Sequence, residues 1–214
     1  MTEYASAAGA TADPHGVDTL EALLALYGEV NPISRDKETV ALTPAYRAWI
    51  EHAPFFALAT IGEGGLDCSP RGDPAGDGLA VLDDRTLAIP DRRGNNRLDS
   101  LRNIVADPRV ALMFLVPGAG ECLRVNGRAR LTADPALTSR FAMRGAEPAC
   151  VIVVRTEAIY YQCARAILRA ALWSGAAVPA SLPSAGEMNR AAAPGFDAEG
   201  YDAILRARQN QTLY

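Results

Sequence analysis

The sequence predicts a mainly β fold, a six-stranded antiparallel barrel with flanking helices. Three observations carry this. Between Pro54 and Cys163 the apolar residues recur mostly on a period of two rather than 3.6. Glycine- and proline-bearing turns cut that stretch into short extended segments. Too few helical stretches separate the segments to supply the crossovers of a doubly wound parallel sheet.

Residues 1–16, "MTEYASAAGATADPHG", are rich in Ala and Gly and are expected to form a disordered leader. Helices over 17–53 are expected to pack on the barrel. "VDTLEALLALYG" sets apolar residues on a helical period with Gly28 as a stop. In "TPAYRAWIEHA", Thr43 is a helix N-cap and Pro44 takes the first helical position. The barrel is expected over 54–173. "FFALATI", the turn "GEGG" and "LDCSPRGDPAGDG" read as a first hairpin, and "LAVLDDRTLAIP" as two strands about Asp83 and Asp84. A short amphipathic helix, "RVALMFLV", "ECLRVNGRARLTAD", the helical "PALTSRFAMRG" and the long strand "ACVIVVRTEAIYYQC" follow. "ARAILRAALW" is helical, and 174–214 reads as a helical extension carrying "PSAGEMNRAAA" and "DAEGYDAILRARQNQTLY".

At 214 residues the chain is long enough for one full core and short for two independent domains. Its composition, 49% apolar and 21% charged, is that of an ordinary globular protein. The net charge of -4 disfavours nucleic acid and anionic lipid as partners unless a local basic patch overrides it. No apolar run approaches the ~20 residues of a membrane span. Cys68, Cys122, Cys150 and Cys163 are widely spaced, with no CxxC pair and no secretory leader, so reduced thiols in a cytoplasmic protein are expected. Of the two histidines, His15 lies in the leader, which leaves His52. A zinc or iron site and a Ser-His-Asp triad are both disfavoured, and no metal is expected.

One stretch concentrates polar chemistry at the start of a helix: "PDRRGNNRLDSLRNI", Pro90 to Ile104. A helix N-terminus presents unsatisfied N–H groups and the positive end of the peptide dipoles, and so attracts phosphate. Gly94 permits close backbone approach. Asn95 and Asn96 offer caps or amide donors, and Arg92, Arg93 and Arg97 offer charge-assisted bonds. Leu98, Leu101, Ile104 and Val105 are expected to bury the opposite face. The alternative is a solvated arginine loop ahead of an Asn-capped helix. "SPRGDP", Ser69 to Pro74, ends a strand, and strand ends of a small barrel come together. Arg71 then shares an anion with Arg97, or merely closes a turn with Asp73. Neither GxGxxG nor GxxxxGK[ST] is present, so no Rossmann or P-loop phosphate site is supported.

From about residue 30 to the terminal "TLY", and above all in "FALATIGEGGLDCSPRGDPAGDGLAVLDDRTLAIPDRRGNNRLDSLRNI", the chain resembles the pyridoxamine 5'-phosphate oxidase-like FMN-binding split barrels, in a bacterial branch with SPRGDP and GNNR motifs. The resemblance implies a homodimer of six-stranded split barrels that holds FMN in clefts between the subunits. It puts the phosphate loop on Arg92, Asn95, Asn96 and Arg97, and the strand-end motif on Ser69, Pro70, Arg71 and Asp73. Ile89, Pro90 and Asp91 fall beside the flavin ring. Arg124, Arg165 and Trp173 are candidate neighbours of the ring's polar edge, with core or dimer packing as the alternative for Trp173. The chain departs from the branch at Arg93, where proline is usual, and at Gln162-Cys163-Ala164-Arg165, where the branch has His-Cys-x-Lys. No residue declares itself a catalytic acid or base, which flavin chemistry tolerates and hydrolysis does not. The expected activity is an FMN-dependent oxidoreductase acting on NAD(P)H or a small-molecule substrate. A non-catalytic flavin module or redox sensor, an F420-binding barrel and a haem-binding barrel are the alternatives.

Overall fold

The structure, a computed structural model, describes residues 13–213; residues 1–12 of the expected leader, and Tyr214, lie outside the described residues. The chain divides into two compact units, Met1–Asp36 and Lys37–Tyr214. In the first, α1 (Leu20–Ala25) starts at Thr19, whose hydroxyl accepts from the Ala22 N–H at 3.1 Å. It ends at Leu26, before the glycine expected to stop it, and α2 (Ile33–Asp36) follows.

The second unit runs α3 (Pro44–His52), β1 (Phe55–Gly62), β2 (Gly65–Gly72), β3 (Ala80–Asp83), β4 (Thr86–Pro90), α4 (Asp99–Ala106), β5 (Arg109–Leu115), β6 (Cys122–Thr132), α5 (Pro135–Arg140), β7 (Val151–Gln162), α6 (Arg165–Arg169), α7 (Ala185–Ala192) and α8 (Ala198–Gln211). α3 begins as its sequence demands: the Thr43 hydroxyl accepts from the Tyr46 N–H at 3.1 Å, with Pro44 at the first turn. α7 carries a reciprocal cap between Ser184 and Glu187, and α8 is tied to it by Asp202, which accepts from the Gly186 N–H at 2.8 Å.

Every extended segment joins one antiparallel sheet in the order β2-β1-β5-β6-β7-β4-β3. The expected six-stranded barrel is therefore corrected twice: the sheet has seven strands, and its hydrogen-bonded ladder is open. Each of the seven extended segments named from the sequence, both arms of the β3–β4 hairpin included, is a strand of its own, one more than the barrel count of six. The ladder stays open because β2 pairs only with β1 and β3 only with β4 among the described residues. Pro70 suits such an edge, since it has no N–H to give an inner ladder. Leu58, Val81, Leu87, Phe114, Val125 and Ile152 nevertheless share one buried cluster with Ile50 of α3 and Ile104 of α4. Strands from distant places in the pairing order thus feed one core, so the sheet curls around it. Each such side chain contributes about 1.5–3 kcal/mol through burial. Among the described residues no helix is long and apolar enough to cross a membrane.

One glycine is demanded by this packing. The β6–β7 register slips between Asn126 and Gly127, and a Cβ on Gly127 would overlap the Arg155 carbonyl oxygen of β7.

Candidate functional site

On β2 the period of two turns Asp67, Ser69 and Arg71 to one face, opposite Thr60, Leu58 and Phe56 of β1 in the pairing register. All three of those partners are core residues, so the edge strand brings polar side chains to the face that its neighbour devotes to packing. α4 lies against this strand pair. The Ser100 hydroxyl lies 3.0 Å from that of Ser69 and donates to Asp67 at 3.3 Å, while the Asn103 amide donates to the Thr60 hydroxyl at 3.0 Å. Leu101 and Ile104 pack on the core beneath.

The loop between β4 and α4 closes a cavity of about 740 Å³ over these groups. That volume lies within the usual range for small-molecule sites. Its walls hold Ser69, Pro70, Arg71, Asp91, Arg92, Asn95, Asn96 and Arg97 of the sequence-predicted set, together with Arg93 and Gly94. The SPRGDP strand end and the arginine loop, ~20 residues apart in sequence, therefore meet.

The arginines differ sharply in what they already hold. Arg92 donates to Asp73 at 2.8 Å, to the Phe141 carbonyl at 2.6 Å and to the Asp77 carbonyl at 3.2 Å. The Arg92 and Asp73 side chains are 16% and 5% exposed, so this is a buried clamp across three loops. Arg71 meets Asp91 at 3.3 Å, and its buried Nε has no hydrogen-bond partner among the described residues. Arg97 pairs with Asp99 at 2.9 Å but stays 74% exposed. Arg93 is exposed and makes no ion pair or hydrogen bond among the described residues. Burial pushes the Asp91 carboxyl above its ordinary range, and the Arg71 charge opposes but does not cancel that rise. The Cys150 backbone carbonyl accepts the Asp91 N–H at 3.0 Å, and the Cys150 thiol is pushed up by burial and then by the Asp91 charge.

The start of α4 departs from expectation. Asn95 and Asn96 do not cap it: the Asn95 side-chain Oδ1 accepts from the Arg97 N–H at 3.1 Å, forming a tight turn before the helix. Leu98 takes the cap position with a φ of 60° and gives no side-chain hydrogen bond, so the first-turn N–H groups receive no side-chain cap. Asn96 also has a left-handed φ, 59°. For leucine that conformation costs about 1–2 kcal/mol, the kind of strain that collects at functional sites. Leu98 and Val105 are exposed rather than buried, because the helix begins after Leu98 and directs Leu101 and Ile104 to the core. Gly94 is not in the left-handed region, and a Cβ there would meet open space.

Six predicted residues do not line this cavity, Arg124 among them. Asp73 acts beneath it as the counter-ion of Arg92. Ile89 and Pro90 are buried, with Ile89 in the core. Arg165 begins α6, and the Trp173 indole donates to the Ala119 carbonyl at 2.6 Å. Nearer to these two, on the other face of β1, β5 and β6, is a mainly apolar cavity of about 680 Å³ whose wall includes Cys68, Cys122, Arg124 and Gln162. Burial raises the Cys122 thiol pKa, so that sulfur is a poor nucleophile. His52 lines neither cavity; its Nδ1 is 2.8 Å from the Ala48 carbonyl of its own helix. Among the described residues no group of three or more His, Cys, Asp or Glu side chains is arranged to hold a metal. Sequence reasoning missed Asp67, Asp99 and Ser100. The D-x-S-x-R alternation at 67, 69 and 71 was the available signal for Asp67, since it sets three polar side chains on one face of a strand.

The sequence model of the pyridoxamine 5'-phosphate oxidase family matches residues 42–163 of this chain. No curated protein matches it. Among solved structures it is similar to HupZ from Group A Streptococcus, with a TM-score of 0.48 and 16% identity, over 57% of this chain and 94% of that one. It is also similar to General Stress Protein 26 from Bacillus anthracis, with a TM-score of 0.40 and 17% identity over 54% and 88% of the two chains. An F420 reductase gives a TM-score of 0.40 and 21% identity over 56% and 98%.

Proposed function

Since the chain belongs to the pyridoxamine 5'-phosphate oxidase family, which its match over residues 42–163 shows, we propose that the arginine-walled cavity holds the phosphate of FMN and that the protein is a flavin-dependent oxidoreductase. The observation that carries this reading is the pairing of cationic donors with space beside them. The buried Arg71 Nε has no partner, Arg93 has no counter-ion among the described residues, and the α4 N-terminus has no side-chain cap. A phosphate dianion satisfies groups of this kind, and an apolar ligand does not.

In this reading Arg71, Arg93, Asn95, Asn96 and Arg97 hold the phosphate, with Ser69 as a further donor. Gly94, which no neighbour among the described residues requires to be glycine, leaves room for the ligand at the backbone. Arg92 keeps the loop in place rather than binding the ligand, because its hydrogen bonds are spent on Asp73 and two carbonyls. Bound FMN supplies hydride and electron transfer between NAD(P)H or another small molecule and an acceptor. Arg165, Trp173 and the second cavity serve the flavin ring of a partner subunit in a homodimer that works in the cytoplasm.

Titrating the purified protein with FMN, followed by flavin fluorescence and by bands near ~370 and ~450 nm, tests the reading. One FMN should bind per chain. Failure to bind FMN, together with a haem Soret band or with uptake of F420 alone, overturns it.

A further inference from the structure

Cys68, Cys122 and Cys163, all free thiols, share the wall of the second cavity. The strand register separates them into a pair and an outlier. Cys122 opens β6 opposite Gln162, the last residue of β7, so Cys163 is the next residue on the facing chain. The two chains stay close beyond the ladder, since a Cβ on Gly120 would lie 2.9 Å from that of Ala164. Facing Cα atoms are about 5 Å apart and one step along a strand adds about 3.3 Å at right angles. Cys122 and Cys163 are then about 6 Å apart, inside the roughly 4.4–6.8 Å that a disulfide spans. Strict alternation would turn Cys163 away from Cys122, but β7 ends at Gln162 and the chain turns into α6 at Arg165. Cys163 accordingly joins the wall that Cys122 and Gln162 form. Cys68 registers instead with Ala59, Ala111 and, through them, Asn126, three strands across and four residues along from Cys122. That is a separation of about 20 Å.

We propose that Cys122 and Cys163 form a modification site: a thiol pair that hydrogen peroxide converts to a disulfide, pinning the start of α6 to β6. Exposure divides the labour, since Cys163 is exposed and Cys122 buried. The Cys163 sulfur attacks peroxide; an S–O bond forms, the O–O bond breaks, and the thiol proton leaves with the hydroxide as water. The Cys122 sulfur then attacks the sulfenic sulfur; the S–S bond forms, the S–O bond breaks, and the second thiol proton leaves in a second water. The two thiols lose the two electrons that peroxide gains. Burial raises the Cys122 thiol, Arg124 opposes that rise, and a negative charge on Cys163 adds to it, so the two sulfurs act on each other. The weak nucleophilicity that results is offset by holding Cys122 beside its target. α6 gives Ala166, Ile167 and Ala170 to the cavity wall, so the bond fixes that wall. The inference is independent of the FMN reading, because neither sulfur lines the arginine-walled cavity.

Peptide mapping of the full chain tests it, because trypsin places the four cysteines on separate peptides. After hydrogen peroxide and alkylation of remaining thiols, the peptide of residues 110–124 should appear joined to that of residues 156–165, lighter by two hydrogen atoms, and dithiothreitol should separate them. Cys122→Ser should stop at a Cys163 sulfenic acid that dimedone traps, and Cys163→Ser should leave Cys122 unmodified. Peroxide should raise the urea midpoint of the wild type by about 1–2 M and leave that of Cys163→Ser in place. Peroxide that carries wild-type Cys163 to a sulfinic acid without a link, or that joins it to Cys68, Cys150 or a second chain, overturns the proposal. So does a link that forms equally well in the urea-unfolded chain, where the fold no longer holds the two sulfurs together.

Discussion

Replacing Arg92 with alanine separates a guanidinium that holds the protein together from one that holds a ligand. In the folded chain Arg92 neutralises Asp73, which is 5% exposed, at 2.8 Å and also satisfies the Phe141 and Asp77 carbonyls. The truncation leaves the Asp73 charge with no ion-pair partner among the described residues. Breaking a buried pair from one side costs about 3–5 kcal/mol, and the residual exposure of Arg92 brings the expected loss to about 2–4 kcal/mol. With a urea slope of about 2 kcal/mol per molar, the unfolding midpoint should fall by about 1–2 M. Arg97→Ala provides the contrast, because its pair with Asp99 is exposed. Such pairs contribute about 0–1 kcal/mol, so its midpoint should barely move, whereas its FMN affinity should drop by about 1.5–3 kcal/mol. Asp73→Asn added to Arg92→Ala should recover part of the stability, since no orphaned charge then remains. Urea unfolding followed by circular dichroism, without ligand, reads all three variants. An Arg92→Ala midpoint within about 0.3 M of the wild type would refute the clamp and return Arg92 to the ligand.

Asp91 and Gly127 give further tests. Because burial holds the Asp91 pKa above its ordinary 3.8, the folded chain keeps a proton that the unfolded chain has released in the interval between the two values. Stability therefore falls as pH rises through that interval and levels off above it. Asp91→Asn should flatten this limb in urea unfolding between about pH 4 and 7, and parallel curves for the two proteins would contradict it. Gly127→Ala puts a Cβ against the Arg155 carbonyl and should lower thermal stability by about 1–3 kcal/mol, with the β6–β7 amides losing most hydrogen-exchange protection. Wild-type protection at those amides would mean that the bulge relaxes without cost.

What the sequence determined by itself was local. Alternating runs such as "FFALATI" and "ACVIVVRTEAIYYQC" specify strands because side chains on successive residues face opposite ways, and Thr43-Pro44 specifies a helix start because cap and ring act within one turn. The crowding of arginines and asparagines before α4 was equally visible, as were SPRGDP and the helix-prone tail. Tertiary structure decided what those residues do. Whether Arg92 serves a ligand or a clamp depends on Asp73 and on the carbonyls of Asp77 and Phe141, the last 49 residues away in the chain. The open ladder of seven strands likewise depends on which strands find partners on both sides. Leu98, rather than an asparagine, stands at the cap position of α4 and leaves it without a side-chain cap, because the tight turn at Asn95 and the packing of Leu101 and Ile104 fix where the helix begins. Backbone preference acts over a few residues and can be read along the chain. Charge compensation acts through space, between groups that only the folded sheet brings within 3–4 Å of each other, about the reach of an ion pair.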